Sequence, residues 1–343
     1  MAERTSPESS TGNKDQGGHD ETLFSRGPDA ALAGGTCRAA ARIGAEVPRA
    51  PIRVTVPFPP GGASDILARS FFSGFEQKIG QPVVIENKAG AAALIGTKAV
   101  ASAAPDGYTL GFFDVAYAIN PALREKDMPY KQAELKPLLY VAEAAQVFVT
   151  SAASGIKTVP DALAALKGSD KKRSFSSAGV GSGSHLAAEQ LTQVLKVSYL
   201  HVPYKGGAPS NAAIAGGEVD FTFATASAIR AFVDAGKAVP LAVASTRRVP
   251  MFPNVPTLAE AGVRGAEAAV FFGVFAPAGV PDAITAKLTD AMVTHLNTPE
   301  VRERLVKAGF DIDGRSGGAF ASFISGEVDR WGKVVRAGNI KPE

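Results

Sequence analysis

The sequence predicts an α/β fold in two lobes, and three observations carry that reading. From Pro51 onward apolar strand-like runs alternate with helical patterns, a second stretch repeats the alternation in different sequence, and the chain ends in helices without partner strands. The alternation points to a mainly parallel sheet covered by helices. The closing helices imply that the last segment packs back on a sheet already built, so one lobe is discontinuous.

Residues 1–49 are rich in Ser, Gly, Asp and Glu, lack period, and read as a disordered leader or altered signal region. Strands are predicted over 52–58, 83–86 and 109–113, with helices over 65–79 and 93–103 between them. Thr158-Val159-Pro160-Asp161 has the pattern of a helix start, because a threonine hydroxyl accepts from first-turn amides; that helix ends at Gly168. Strands at 174–177, 199–202, 219–223 and 241–245 then alternate with helices at 185–196, 210–215 and 226–235. After a strand at 269–275, helices follow over 281–296, 299–307 and 318–336, the last with Ile324, Val328 and Trp331 on one face. Tyr140–Thr150 and Ala269–Phe275 serve as connecting strands, which gives one lobe of 50–145 plus 268–343 and another of 146–267.

With 343 residues, 45% of them hydrophobic, the chain has material for two cores and a cleft between them. Lys plus Arg number 36 against 33 Asp plus Glu, and the one basic run is Lys171-Lys172-Arg173, so a nucleic-acid surface is excluded. A single cysteine, Cys37, allows no intramolecular disulfide framework. The histidines at 19, 185, 201 and 295 have no metal-ligand spacing, so no metal is expected, and neither Gly179-x-Gly181-x-Gly183 nor Gly90–Lys98 has the spacing of a nucleotide-binding loop, so no cofactor is expected. No apolar run reaches the ~18 residues of a membrane span. Residues 1–28 are too polar for an export signal, and Leu32–Cys37 only faintly resembles a lipoprotein cleavage box.

Three loops share one design, in which a strand ends, a glycine-rich turn follows and a helix begins: Phe58-Pro59-Pro60-Gly61-Gly62-Ala63-Ser64-Asp65, Ser176 to His185, and His201 to Pro209. A helix start leaves about four amides unpaired and carries roughly half a positive charge, and glycine lets a ligand approach them closely. Such ends bind anions, at the strand ends where open α/β sheets take ligands. The plainer reading is that Gly and Pro merely turn the chain. Asp65 reads as a first-turn cap or a ligand contact, Asp220 as a strand buttress, and Tyr204 and Lys205 as cleft residues or a solvated tip. Ser182, Ser184 and His185 invite a hydrolase reading, but Gly179-Val180-Gly181-Ser182-Gly183 is not the Gly-x-Ser-x-Gly elbow, and no acid marks a triad.

At these loops the chain strongly resembles the Bug-type receptors of tripartite tricarboxylate transporters. The matching stretches include PIRVTVPFPPGGASDILAR, GQPVVIENKAGAAALIG, APDGYTLG, AINPAL, SSAGVGSGSHLAAEQL, HVPYKGGAP, GGEVDFTF, VPTLAEAGV, FGVFAPAGVP and RWGKVVRAGNI, in order from Pro51 to Ile340. The resemblance implies a two-lobed periplasmic-binding-protein fold, type II-like, with two mixed sheets and a hinge of crossing strands. It implies no enzyme, and a monomer that captures a small organic acid and delivers it to a membrane permease. By motif, Phe58, Pro59, Pro60, Gly61, Gly62 and Asp65 form one wall; Ser177, Ala178, Gly181, Ser182, His185, Tyr204 and Lys205 form the other, where backbone amides and waters hold a carboxylate.

Two departures stand out. Phe112-Phe113-Asp114-Val115-Ala116-Tyr117 replaces the family's small or hydroxyl residues, and Ala224-Thr225 replaces an Asp-Asn pair. Asp114, Tyr117 and Thr225 are therefore added to the candidate site. A second ligand carboxylate would meet a like charge at Asp114, so a ligand with one carboxylate and a cationic or aromatic part, stacked on Tyr117 or Phe113, is expected. The resemblance also implies a periplasmic location, and hence a misassigned start or altered leader; a cytosolic solute sensor or regulatory module is the alternative.

Overall fold

The structure is a computed structural model that describes residues 50–168 and 172–342. The expected leader, with His19 and Cys37, lies outside the described residues, as does Lys171.

The first half begins with β1 (Ile52–Val56), α1 (Ala63–Phe72), α2 (Glu76–Ile79), β2 (Val83–Asn87), α3 (Leu94–Ala101), β3 (Thr109–Asp114) and α4 (Ala116–Leu123). β1 lies between β2 and β3 with both pairings parallel. The helix predicted over 65–79 is two helices, because Gly74 at φ +83° breaks it after Phe72. α4 was not predicted: its core is AINPAL, and Pro121 lies inside it.

β4 (Leu135–Ser151) is 17 residues long and leads into the second half. There follow α5 (Val159–Lys167), β5 (Ser174–Ser177), α6 (Gly183–Leu195), β6 (Leu200–Pro203), α7 (Gly207–Gly216), β7 (Phe221–Thr225), α8 (Ala226–Asp234) and β8 (Ala238–Ala244). The chain returns through β9 (Ala269–Pro277), α9 (Asp282–Leu296), α10 (Pro299–Lys307), β10 (Asp311–Ile312) and α11 (Gly317–Ala337).

The sheet runs β2-β1-β3-β9-β4-β7-β5-β6, with β8 and β10 also on β4. It is mixed, as the family resemblance implies, whereas the strand and helix rhythm alone points to a mainly parallel sheet. β9 is antiparallel to both β3 and β4, and β7 and β8 are antiparallel to β4, because the chain passes between halves on strands rather than through covering helices. From Leu135 to Ala145 β4 pairs with β9; from Gln146 to Ser151 it pairs with β7 and β8. One strand thus belongs to both halves.

Each half buries its own aromatic cluster. Phe71, Phe75, Phe112, Phe272 and Trp331 anchor the first. In the second, Phe148 stacks within 6.0 Å of Phe175, Phe221 and Phe223. Fully burying each such ring stabilises by about 1.5–3 kcal/mol, enough to hold each half around its own core. At α5, Thr158 Oγ1 accepts from the Asp161 amide and donates to its carboxylate at 2.7 Å. Asp220 braces β5, accepting from the amide and hydroxyl of Ser174 and from Arg173.

Candidate functional site

Where the two halves face each other lies a cavity of about 70 Å³, lined by Gly62, Ala63, Ser64 and Asp114 from the first half and Ser182, Gly183, Ser184 and Gly207 from the second. Four helices start on it. Gly62 is the N-cap of α1 and Gly206 that of α7, neither with a side-chain cap; Ser182 caps α6, and Thr225 precedes α8 without capping it. First-turn amides have no partner within their helix, and each start carries about half a positive charge. Among the described residues no Lys or Arg lines this cavity. Among those residues its positive field comes from the main chain, an arrangement that suits an anion.

Among the described residues the one charged side chain in the lining is Asp114. It ends β3 at 9% exposure, accepts from the Ala116 amide at 3.0 Å and takes the Ser64 hydroxyl at 3.2 Å. Burial pushes its carboxyl up to about 6, against the lowering effect of those hydrogen bonds. At neutral pH it is mostly ionised.

Of the residues named from sequence, Phe58, Gly62, Asp114, Ala178, Ser182 and Thr225 line this cavity. Pro59, Tyr204 and Lys205, again with Phe58 and Ala178, line a neighbouring cavity of about 270 Å³ that also includes Ala91–Ala93 and Arg124. Seven others line neither cavity, and five of them have structural tasks instead.

Asp65 accepts from the Gly61 amide, Arg69 Nε and Asn87 Nδ2, so it braces the Pro-Pro-Gly-Gly turn and occupies the Gly61 donor. Burial raises its pKa, but bonds from Arg69, Gly61 and Asn87 outweigh burial and hold the carboxyl below its usual range. Gly61 and Pro60 are exposed at the turn's outer side. Ser177 bonds His201 Nε2 at 2.6 Å and both polar groups of Gly179, which fixes the loop rather than facing the cavity. Gly181, at φ +83°, donates its amide to His185 Nδ1.

Tyr117 corrects the stacking expectation. It is 3% exposed, its ring lies 4.7 Å from Phe275, and its hydroxyl donates to the Gln132 carbonyl at 3.3 Å. Phe113 packs on the same rings. Alternation along β3 sends Asp114 to the cavity and Phe113 to the opposite, core side, so no aromatic partner for a ligand comes from either residue.

The hydrolase reading fails on geometry as well. The His185 ring accepts from the Gly181 amide and stacks on His201 with ring centres 4.0 Å apart, while Ser182 Oγ meets the His185 amide and the Ser184 hydroxyl, not an imidazole. Burial lowers His185 to about 3, with His201 adding to the shift, and burial lowers His201 to about 4; both rings are neutral.

Residues missed from sequence are Ser64, Gln146 and Asn211. Gln146 had a visible signal, a lone amide inside the apolar run AAQVFVT of a connecting strand. It is 4% exposed, and its Oε1 has no hydrogen-bond partner.

Two α/β halves that share strands and face helix starts across a cavity define a periplasmic-binding-protein fold, the class of bilobal solute receptors. The family model described as the tripartite tricarboxylate transporter family receptor matches residues 67–340, so the chain belongs to that family, which comprises Bug-type solute-binding receptors and not enzymes. A UPF0065 protein of Pseudomonas sp. (strain P51) is 34% identical over 290 residues, covering 84% of this chain and 86% of that protein. Protein BugT of Bordetella pertussis is 32% identical over 297 residues, covering 86% of this chain and 91% of BugT. Among solved structures, Rpa4515 of R. palustris with adipate is 29% identical with a TM-score of 0.83, covering 87% of this chain and all of that one. MatC of Rhodopseudomonas palustris with bound malate is 30% identical with a TM-score of 0.79, covering 84% and 99%. No helix among the described residues is long and apolar enough to cross a membrane.

Proposed function

We propose that this chain is the periplasmic solute receptor of a tripartite tricarboxylate-type transporter, which captures a small organic acid by hinge closure and hands it to a membrane permease. Residues 50–145 with 268–343 form one lobe and 146–267 the other, and β4 with the return at residue 268 is the hinge. The observation that carries the reading is the convergence of four helix starts, drawn from both halves, on one cavity that no basic side chain lines among the described residues. A carboxylate there takes main-chain donors from both lobes at once, so binding it favours the closed arrangement. The likeness to receptors solved with malate and with adipate supports a carboxylate ligand.

The test is a titration of purified protein with mono-, di- and aminocarboxylates, followed by calorimetry, thermal melting and small-angle scattering. The expected result is that at least one carboxylate binds, raises the melting temperature and lowers the radius of gyration. No binding and no compaction across the panel overturns the reading.

A further inference from the structure

The cavity pairs a main-chain positive field with two side-chain acceptors, and the acceptors restrict the ligand. Among the described residues Asp114 is its one charged side chain, and no cationic side chain lines the cavity to neutralise it. Its two recorded partners are donors that leave the charge in place, the Ser64 hydroxyl and the Ala116 amide. Gln146 lines the same cavity from β4, 96% buried by its 4% exposure, with Oε1 lacking any partner. A buried acceptor without a donor is costly, and native proteins rarely leave one unless a ligand or water completes it. An aliphatic aminocarboxylate has the complementary parts, a carboxylate for the helix starts and an ammonium for the acceptors.

We infer that this receptor selects a small aminocarboxylate, whose protonated amine is held by Asp114 and Gln146 while its carboxylate sits on the starts of α1, α6, α7 and α8. The inference rests on the receptor reading above and deepens it. A dicarboxylate is disfavoured, because its second carboxylate meets Asp114 at close range in a cavity with no counter-cation. The cavity is also small, about 70 Å³. At about 10–15 Å³ for each water-sized centre, that volume suits a compact ligand.

The experiment is calorimetry on the full chain with glycine, β-alanine and γ-aminobutyrate, each set against its amine-free counterpart (acetate, propionate or butyrate) and against malate and adipate. At least one aminocarboxylate is expected to bind ten times or more tightly than its amine-free counterpart and than either dicarboxylate. Asp114→Asn keeps an acceptor for the Ala116 amide and removes the charge. It is expected to weaken the aminocarboxylate by about tenfold to a hundredfold, the range of a charge-assisted hydrogen bond, and to leave monocarboxylates within about threefold. Gln146→Ala removes an oxygen that bonds nothing in the protein, so it guards against a folding artefact at Asp114; it is expected to weaken the same ligand about fivefold or more. Malate or adipate binding as tightly as every aminocarboxylate overturns the inference and leaves the receptor reading standing. Unchanged aminocarboxylate affinity in both variants does the same, whereas silence of the whole panel overturns both.

Discussion

Gly183, the first residue of α6, is the most direct handle on closure. A Cβ built there lies 2.7 Å from Val270 Cγ2 and 3.0 Å from Val115 Cγ1, while ordinary carbon contacts fall at about 3.5–4.0 Å. Both valines belong to the first half and are stiff at χ1, so neither swings aside easily. Gly183 is not among the positive-φ glycines, so alanine fits its backbone, and in a first turn alanine is no worse a helix former than glycine. The cost is therefore steric and is felt where the halves meet: overpacking of this kind costs about 1–3 kcal/mol, which converts to a 5- to 150-fold loss of affinity. Calorimetry on Gly183→Ala with γ-aminobutyrate, malate and adipate reads that loss for whichever of them wild type binds. Thermal melting of the ligand-free variant should stay within about 2 °C of wild type, and adding Val270→Ala should restore most of the affinity. Wild-type affinity in Gly183→Ala would refute the reasoning. A large fall in ligand-free melting temperature would refute it too, by making Gly183 part of the folding core.

Two further predictions concern stability. The stacked pair His185 and His201 is held neutral at about 3 and 4, below the unfolded value near 6.5, so the unfolded chain takes up protons first as pH falls. Stability is fully present above 6.5 and is lost toward pH 4, by up to about 1.4 kcal/mol per unit for each ring. Asp114, raised to about 6, acts in the opposite sense between about pH 6 and 4 because the folded state takes the proton. Melting curves across pH 7 to 4 should show a steeper loss in Asp114→Asn and a shallower one in His201→Gln, and parallel curves for all three proteins would sink the assignment. Separately, Ala91, Ala92 and Ala93 sit at φ +48°, +48° and +76°, a left-handed run that glycine adopts without the Cβ clash. Ala92→Gly should gain about 0.5–1 kcal/mol after the extra unfolded-state entropy of glycine, seen as a higher urea midpoint; a lower midpoint would contradict it.

The strand and helix rhythm was legible because each element's apolar period is local. Ser174–Ser177 and Pro299–Lys307 match prediction to the residue. Local patterns stop at Gly74, which breaks a continuous apolar run, and at α4, which holds Pro121 and for which no element is predicted. The sheet's mixed character came from the family resemblance and was hidden from the local pattern, because strand direction depends on partners far away in sequence, as when Gln146 pairs with both Thr225 and Ala244. At the candidate site, the glycine loops pointed to main-chain donors, but motif position alone did not separate residues that face the cavity from those behind it. Asp65, Ser177 and His185 sit in the same loops as cavity residues yet spend their polar atoms on the loops themselves. Tyr117 lies three residues from Asp114 but in α4, where its ring packs on Phe275 and its hydroxyl bonds the Gln132 carbonyl, contacts distant in sequence that no local pattern records.

The donors at the helix starts are peptide groups, which every residue except proline supplies alike. Mutation therefore erodes them slowly: a lineage can exchange side chains around the cleft without losing its hold on an anion. In the proposed reading, ligand preference is then inherited through very few positions, with Asp114 and Gln146, which line the cavity, among them. A scaffold built this way can change its cargo in one or two substitutions while its grip descends unaltered, which makes those positions the natural ones to randomise when the chain is to be turned into a sensor for another solute.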